Sequence, residues 1–454
     1  AYDGLGRVAS RADVVTASGT PHPIDQMSYT YDGVGRVLTR AESVTGGVSS
    51  TLTYTYDGDG KLTRVAQGSS TVEQYSYDVD GNRLSALVNG TPVPATYSND
   101  QLQTFGSTSY SFDPAGFLTA RGGDTFSYGA RGELLSATVG GSTVSYSYDA
   151  FGRRVSRTDS SGTSQYFYGD PYDPFEITAA RDASGVLSTY YDDERGLLFA
   201  IQRGGAWYYV ATDQIGTPRV VSDATGAVVL TRATDSFGNV VSSSGAFDLP
   251  IGFAGGLADP LTKFVRFGLR DYDPQTGRWT ARDLQILTGG DPNLYRYASN
   301  DPVNAIDPSG LKTSVVIVNF YYKPNVNGLP GFSTGHASIT VNGQTYGFYN
   351  TGASTGSLLA GNDAVGSVNA EQSSPTRSYA LPVTPQEAQA IEQYVGQQRQ
   401  QKLVYNLYRS NCQDFVRIAL QRANLPLPDL GPTPWELEYW MISLTQTGQA
   451  YPAR

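Results

Sequence analysis

The chain has 454 residues, more than one ordinary hydrophobic core holds, so two or more domains are expected. A single cysteine excludes an intrachain disulfide, and with only His22 and His336 beside it there is no material for a Cys/His zinc site, so neither metal nor cofactor is expected. Residues 1–311 hold 23 Lys+Arg against 34 Asp+Glu and residues 312–454 hold 9 against 8, so neither part has the basic footprint of a nucleic-acid binder; no apolar run of about 18 residues predicts a membrane-spanning helix.

The first residues, AYDGLGRVAS, lack a signal-peptide pattern and open inside a motif, which predicts a piece of a longer protein. That motif then recurs through residues 1–240. Strong copies are YTYDGVGRVLTR from Tyr29, YTYDGDGKLTRV from Tyr54, YSYDVDGNRLSA from Tyr75 and YSYDAFGRRVSR from Tyr146. Weaker ones are YSFDPAGFLTAR from Tyr110 and FSYGARGELLSA from Phe126. Alternating Tyr with Ser or Thr suits a strand with one buried face. The Asp offers a side-chain cap to a tight turn, the Gly supplies positive φ, and a second alternating strand follows. One hairpin cannot bury its own apolar face, whereas a stack of hairpins can, so an irregular array of stacked hairpins is predicted.

Further along come YYVATDQIGTPRVVSDATGAVV (208–229), DSFGNV (235–240), GLRDYDPQTGRWTARD (268–283) and NLYRYASNDPVNAIDPSGL (293–311). Together with the YD copies, these segments closely resemble the Rhs/YD-repeat polymorphic toxin family, whose core is related to toxin-complex C proteins. The resemblance covers residues 1–311. It implies a mostly β fold in which YD repeats (1–240) spiral into a hollow β-shell enclosing cargo, followed by an Rhs core (241–311) ending at the DPSGL boundary. It also implies self-cleavage after Leu311, before Lys312, by Asp271 and Asp283 with Arg270 beside the first. Two carboxylates in one pocket push one pKa up and can work as acid and base, while a neighbouring arginine keeps one of them charged. The chain departs from the family in reading DLQIL (283–287) where a first DPxGL often stands. Turn-capping by these aspartates, as in every other YD copy, is the structural alternative.

Beyond the boundary, residues 312–454 predict a small α+β domain. KTSVVIVNFYY (312–322) is an apolar strand, and GHASITVNGQTYGFYN (335–350) a hairpin around Asn342-Gly343. Residues 351–380 are rich in Gly, Ser and Asn and are expected to be a long loop. VTPQEAQAIEQYVGQQRQ (383–400) predicts a helix with Thr384 and Glu387 as a capping box and Ala388, Ile391, Tyr394 and Val395 on one face. NCQDFVRIALQRAN (411–424) predicts a second helix with Phe415, Ile418 and Ala419 on one side, and PTPWELEYWMISL (432–444) a final helix.

Cys412 falls at the start of the second helix, where unpaired N–H groups favour a thiolate, and His336 at the start of a strand. GHASI and NCQDFV resemble circularly permuted papain-like enzymes of the NlpC and lecithin:retinol acyltransferase groups. The resemblance implies that His336 deprotonates Cys412 for attack on a carbonyl, probed best with amide substrates such as peptide, peptidoglycan or a glutamine side chain. Asn350 or Tyr349 is in register to orient His336. A buried, inert Cys412 is the structural alternative. GFSTG (331–335) and GASTG (352–356) fit G-x-S-x-G but lack a following helix, leaving a serine or cysteine lipase-like tail as a lesser reading.

The combined expectation is a secreted toxin delivered into a target cell by dedicated machinery, with an immunity protein as partner and a target-cell substrate. The rival is a structural or adhesive YD-repeat surface protein with an inert tail.

Overall fold

In the computed structural model, the chain divides into two compact units, Ala1–Pro171 with Phe175–Leu311, and Tyr172–Pro174 with Lys312–Arg454. The structure describes residues 1–310 except 5–6, 18, 46–48, 89, 171–173, 194–195 and 284–292. Beyond 310 it describes 314–321, 336–341, 344–350, 364–370, 377–383, 391, 394–395, 397–399, 403–405, 412–422, 437, 441 and 451–453.

The first unit is built on one sheet of 23 described strands, from β1 (Ser10–Ala17) to β23 (Val240–Gly245), in which each strand pairs antiparallel with the next. The YD copies explain this meander. In β2 (Thr20–Tyr31), Met27 and Tyr29 are buried while Ser28 and Thr30 are exposed, the period of two that a half-buried strand requires. Asp32 then closes the turn. Its Oδ1 accepts from the Val34 and Arg36 amides at 3.0 and 2.9 Å, and its Oδ2 pairs with Arg36 at 2.7 Å. Gly35 sits at φ 96°, where a side chain would be strained. The chain returns as β3 (Val37–Val44), whose Thr39 hydroxyl meets that of Thr30 at 2.7 Å on the solvent face.

The two tyrosines of each copy do different work. The first (Tyr29, Tyr54, Tyr75, Tyr110, Tyr146) lies in the core. The second sits at a register irregularity next to the turn. Its phenol donates to a carbonyl of the preceding hairpin: Tyr31 to Val8 at 2.7 Å, Tyr56 to Val37 at 2.8 Å, Tyr77 to Leu62 at 2.7 Å. These hairpins are thereby clipped to the one before them, beyond the sheet ladder itself, whereas the Tyr110 copy carries Phe112 at this position and has no such clip.

The wall turns back on itself. β2 packs on β21 (Pro218–Asp223), and Val15 and Ile24 share a cluster with Ala211 and Val220. Against the wall's buried face lies a compact insert, residues 249–283 and 293–310, with a small antiparallel sheet of β24 (Leu257–Ala258), β25 (Val265–Phe267), β26 (Arg270–Asp273) and β27 (Arg278–Trp279). Phe253, Phe267, Tyr272, Trp279 and Tyr297 form its core, with the Tyr272 and Tyr297 rings 4.3 Å apart. Phe264 and Val303 from the insert join the wall's own core. Burying so many aromatic rings stabilises this insert.

Among the described residues of the second unit, seven antiparallel strands lie in the order β33 (Leu403–Tyr405), β31 (Ala364–Ala370), β30 (Gln344–Asn350), β29 (His336–Val341), β28 (Ser314–Tyr321), β32 (Arg377–Val383), β34 (Tyr451–Ala453). Helix α1 (Cys412–Arg422) packs on β29 and β30 through Phe415, which touches the Phe348 ring with centroids 6.3 Å apart. Two expectations need correction here. Residues 351–380 are not one long loop, because 364–370 and 377–383 are strands. Pairing on both sides, β31 with β30 and β33, and β32 with β28 and β34, overrides the loop-like composition. The buried face of α1 is Phe415, Val416, Ala419 and Leu420, with Ile418 only half-buried. Of the preceding helix, Ile391, Tyr394 and Val395 are described and buried, while its capping box lies outside the described residues.

Candidate functional site

The residues flanking the boundary converge on strand β26. Successive side chains of a strand point to opposite faces, so neighbours Arg270 and Asp271 enter different surroundings. Arg270 reaches toward the boundary. Its Nη2 lies 3.1 Å from Asp283 Oδ2 and 3.4 Å from Asp307 Oδ2, and its Nη1 donates to the Leu294 carbonyl at 3.2 Å. Its Nε donates to the Gly310 carbonyl, and its guanidinium lies over the Trp279 ring at 4.2 Å.

Asp271, wholly buried, meets two other arginines. Its Oδ1 accepts from Arg154 at 2.7 Å and its Oδ2 from Arg266 at 2.8 Å. Asp271 therefore has counter-charges of its own, 117 residues away in the wall and five away in the insert. The structure brings Arg270 and Asp283 together, adds Asp307, and gives Asp271 different partners. Residues 311 and 312, the expected cleavage position, and 284–287 lie outside the described residues.

The segment before the boundary is seated by close backbone approach. The Leu269 amide donates to the Ser309 carbonyl at 2.9 Å, and the Gly310 amide to the Asp307 carbonyl at 3.2 Å. Gly268, at φ 44°, faces Ser309 so closely that a Cβ would overlap its carbonyl. A Cβ on Gly310, at φ 68°, would come to 2.5 Å from the Phe267 carbonyl. Both glycines are required by contact, and Gly268 belongs to the GLRDYD motif as Gly310 belongs to DPSGL.

Other ion pairs bolt the insert to the wall. Asp259 accepts from Arg157 at 2.8 Å and from the Tyr146 phenol at 2.8 Å. Here burial works against the carboxylate and Arg157 with the Thr262 amide works for it, and the net effect lowers its pKa. Asn293 and Arg278 share Asn82 Oδ1 at 2.8 and 2.9 Å, and Asn300 donates to the Gly81 carbonyl at 2.8 Å. Arg154, Arg157, Arg266 and Asp307 were not singled out from sequence; Asp307 alone had a visible signal, as the first residue of DPSGL.

In the second unit, His336 opens β29 and Cys412 opens α1, and these two elements pack together. Val341 pairs with Gln344, so the hairpin closes over residues 342–343; the same register continued puts Tyr349 across from His336. GFSTG and GASTG lie outside the described residues. Among the described residues, no group of three or more His, Cys, Asp or Glu is placed to hold a metal ion, and no helix is long and apolar enough to cross a membrane.

The sequence model of the teneurin YD-shell matches residues 2–303, nearly all of the first unit. The chain belongs to the teneurin YD-shell family. It is 37% identical to teneurin-3 of Mus musculus over 305 residues, 63% of this chain and 11% of that one. It is also 37% identical to teneurin-4 of Homo sapiens over 268 residues, 56% and 10% respectively. The chain thus spans about a tenth of the length of the curated relatives it matches. Among solved structures, the crystal structure of TcdB2-TccC3 aligns over 66% of this chain and 20% of that one, with 16% identity and a TM-score of 0.46. The matched region ends at residue 303, short of Lys312, where the main segment of the second unit begins.

Proposed function

We propose that residues 1–310 are a structural YD-shell module of a secreted or surface-displayed protein, a scaffold rather than an enzyme. One observation carries this reading. The carboxylates at the boundary are each opposed by a buried guanidinium: Asp271 by Arg154 and Arg266, Asp283 and Asp307 by Arg270. Such compensation holds structure together: Asp271 has two cations of its own, and Asp283 and Asp307 are gathered on the one guanidinium of Arg270. The match to the teneurin YD-shell supports a scaffold, since it covers the wall and most of the insert.

A second reading, toxin delivery, is favoured by a specific contact. Arg270 donates to the Gly310 carbonyl, one residue before the expected scissile position, and holds Asp283 beside it. On this reading Asp271, Asp283 and Arg270 cut after Leu311, and residues 312–454 act as a cysteine hydrolase using Cys412 and His336, restrained in the producer by an immunity protein. The packing of α1 on β29 supports it.

Electrophoretic mobility separates the two. The scaffold reading expects one band at 48.7 kDa, identical in Asp283→Asn. Two bands that merge into one in Asp283→Asn, with toxicity of expressed 312–454 abolished by Cys412→Ala, would establish delivery instead.

A further inference from the structure

We propose that Asp25 is a proton-operated latch on the seam where the first strands of the wall meet β20 (Ala206–Thr212) and β21: neutral, it lets the seam pack dry; ionised, it loosens it. Asp25 lies in β2 with no exposed surface, and neither of its carboxyl oxygens has a hydrogen-bond partner. The groups facing it are Arg11 and Asp13 of β1, Glu42 of β3 and Arg219 of β21. Both arginines already pair with another carboxylate, although Nη1 of Arg219 is buried without a partner of its own. Arg11 pairs with Asp13 at 2.9 Å, and Arg219 grips both oxygens of Glu42 at 2.9 Å. Asp13 stands directly across the ladder from Asp25, and the register shifts just after it. A carboxylate placed between two others, with its nearby cations already paired, is tolerated in the dry interior only with its proton on.

The same residues close the seam. Arg219 to Glu42 joins β21 to β3, Arg11 donates to the Thr212 carbonyl at the end of β20, and Val15 and Ile24 pack on Ala211 and Val220. A negative charge on Asp25 competes with Glu42 for Arg219 and with Asp13 for Arg11, and it draws water into this contact.

The direction of titration agrees. Burial first, then Glu42 and Asp13, push the Asp25 carboxyl from 3.8 up to about 7, with Arg11 and Arg219 opposing. The unfolded chain gives up this proton near 4. The contribution of Asp25 to stability is therefore complete below about pH 4, declines as pH rises, and is gone above about 7. Acidification tightens the seam.

The test is equilibrium denaturation of the full chain against Asp25→Asn, whose amide has the shape of the neutral acid. Near pH 4 the two should match within a few-fold. By pH 8 the shell's folding constant should favour the Asp25→Asn variant by at least ~10-fold; a variant-to-unaltered ratio that is the same at both pH values overturns the latch. A second measurement uses the unaltered chain. Opening constants of the Val220 and Val221 amides, from hydrogen exchange, should rise at least ~10-fold between pH 5 and 8 relative to the Ala137 and Thr138 amides, with a constant ratio contradicting the proposal.

Discussion

The wall and the insert of the first unit are held by opposite strategies. Away from its seam, the wall is stabilised by contacts short in sequence: Asp32 caps a turn four residues long, and Tyr77 reaches back 15 residues to Leu62. In the insert they are long: Asp271 to Arg154 spans 117 residues, Asn293 to Asn82 spans 211, and Asn300 to Gly81 spans 219. A wall of local clips can be lengthened by adding hairpins. These clips do not fix its curvature, because each joins only neighbouring hairpins; the long wall contacts are confined to the seam between the first strands and β20 and β21. The insert supplies that missing information by touching many copies at once.

Substitutions sharpen this contrast. The largest effect belongs to the insert. Asp271→Ala leaves Arg154 and Arg266 buried without a counter-charge and should cost about 3–5 kcal/mol in urea denaturation. An effect below about 1 kcal/mol would show that the buried ion pairs are incidental. Next is Gly268→Ala, which forces a side chain into the Ser309 carbonyl at positive φ. It should cost about 1–3 kcal/mol and raise hydrogen exchange at Leu269 and Gly310 selectively. The smallest belongs to the wall. Tyr77→Phe removes one phenol–carbonyl clip and should cost about 0.5–1.5 kcal/mol, with exchange rising only at the hairpins it joins. If Tyr77→Phe instead loosened the whole sheet, the division between local clips and a global lock would fail.

The same division decided what could be read from sequence. Alternation and turn chemistry are local, so the hairpins of Tyr29, Tyr54, Tyr75 and Tyr146 were legible residue by residue. The different duties of the two tyrosines in each copy were not, because both fit a strand and only the stacked neighbour distinguishes them. Arg154 looks in GRRVSR like one more polar strand residue, yet it is almost fully buried; its partner lies in another motif, and no periodicity connects them. Around the boundary, Arg270 and Asp283 do meet, while Asp271 turns to the other face, a consequence of strand alternation that could be read only once β26 was known to be a strand. In the second unit, β31 was hidden because Gly and Asn weaken a strand's signal and pairing on both sides restores it.

The central claim is that the insert locks the wall, so that the two open together. Native-state hydrogen exchange on the full chain tests it most directly by comparing slow amides of the insert, such as Tyr272 and Thr280, with slow amides of the wall, such as Val65 and Ala137. The account predicts a common opening free energy for both sets. Insert amides exchanging orders of magnitude faster than those of an intact wall would contradict it.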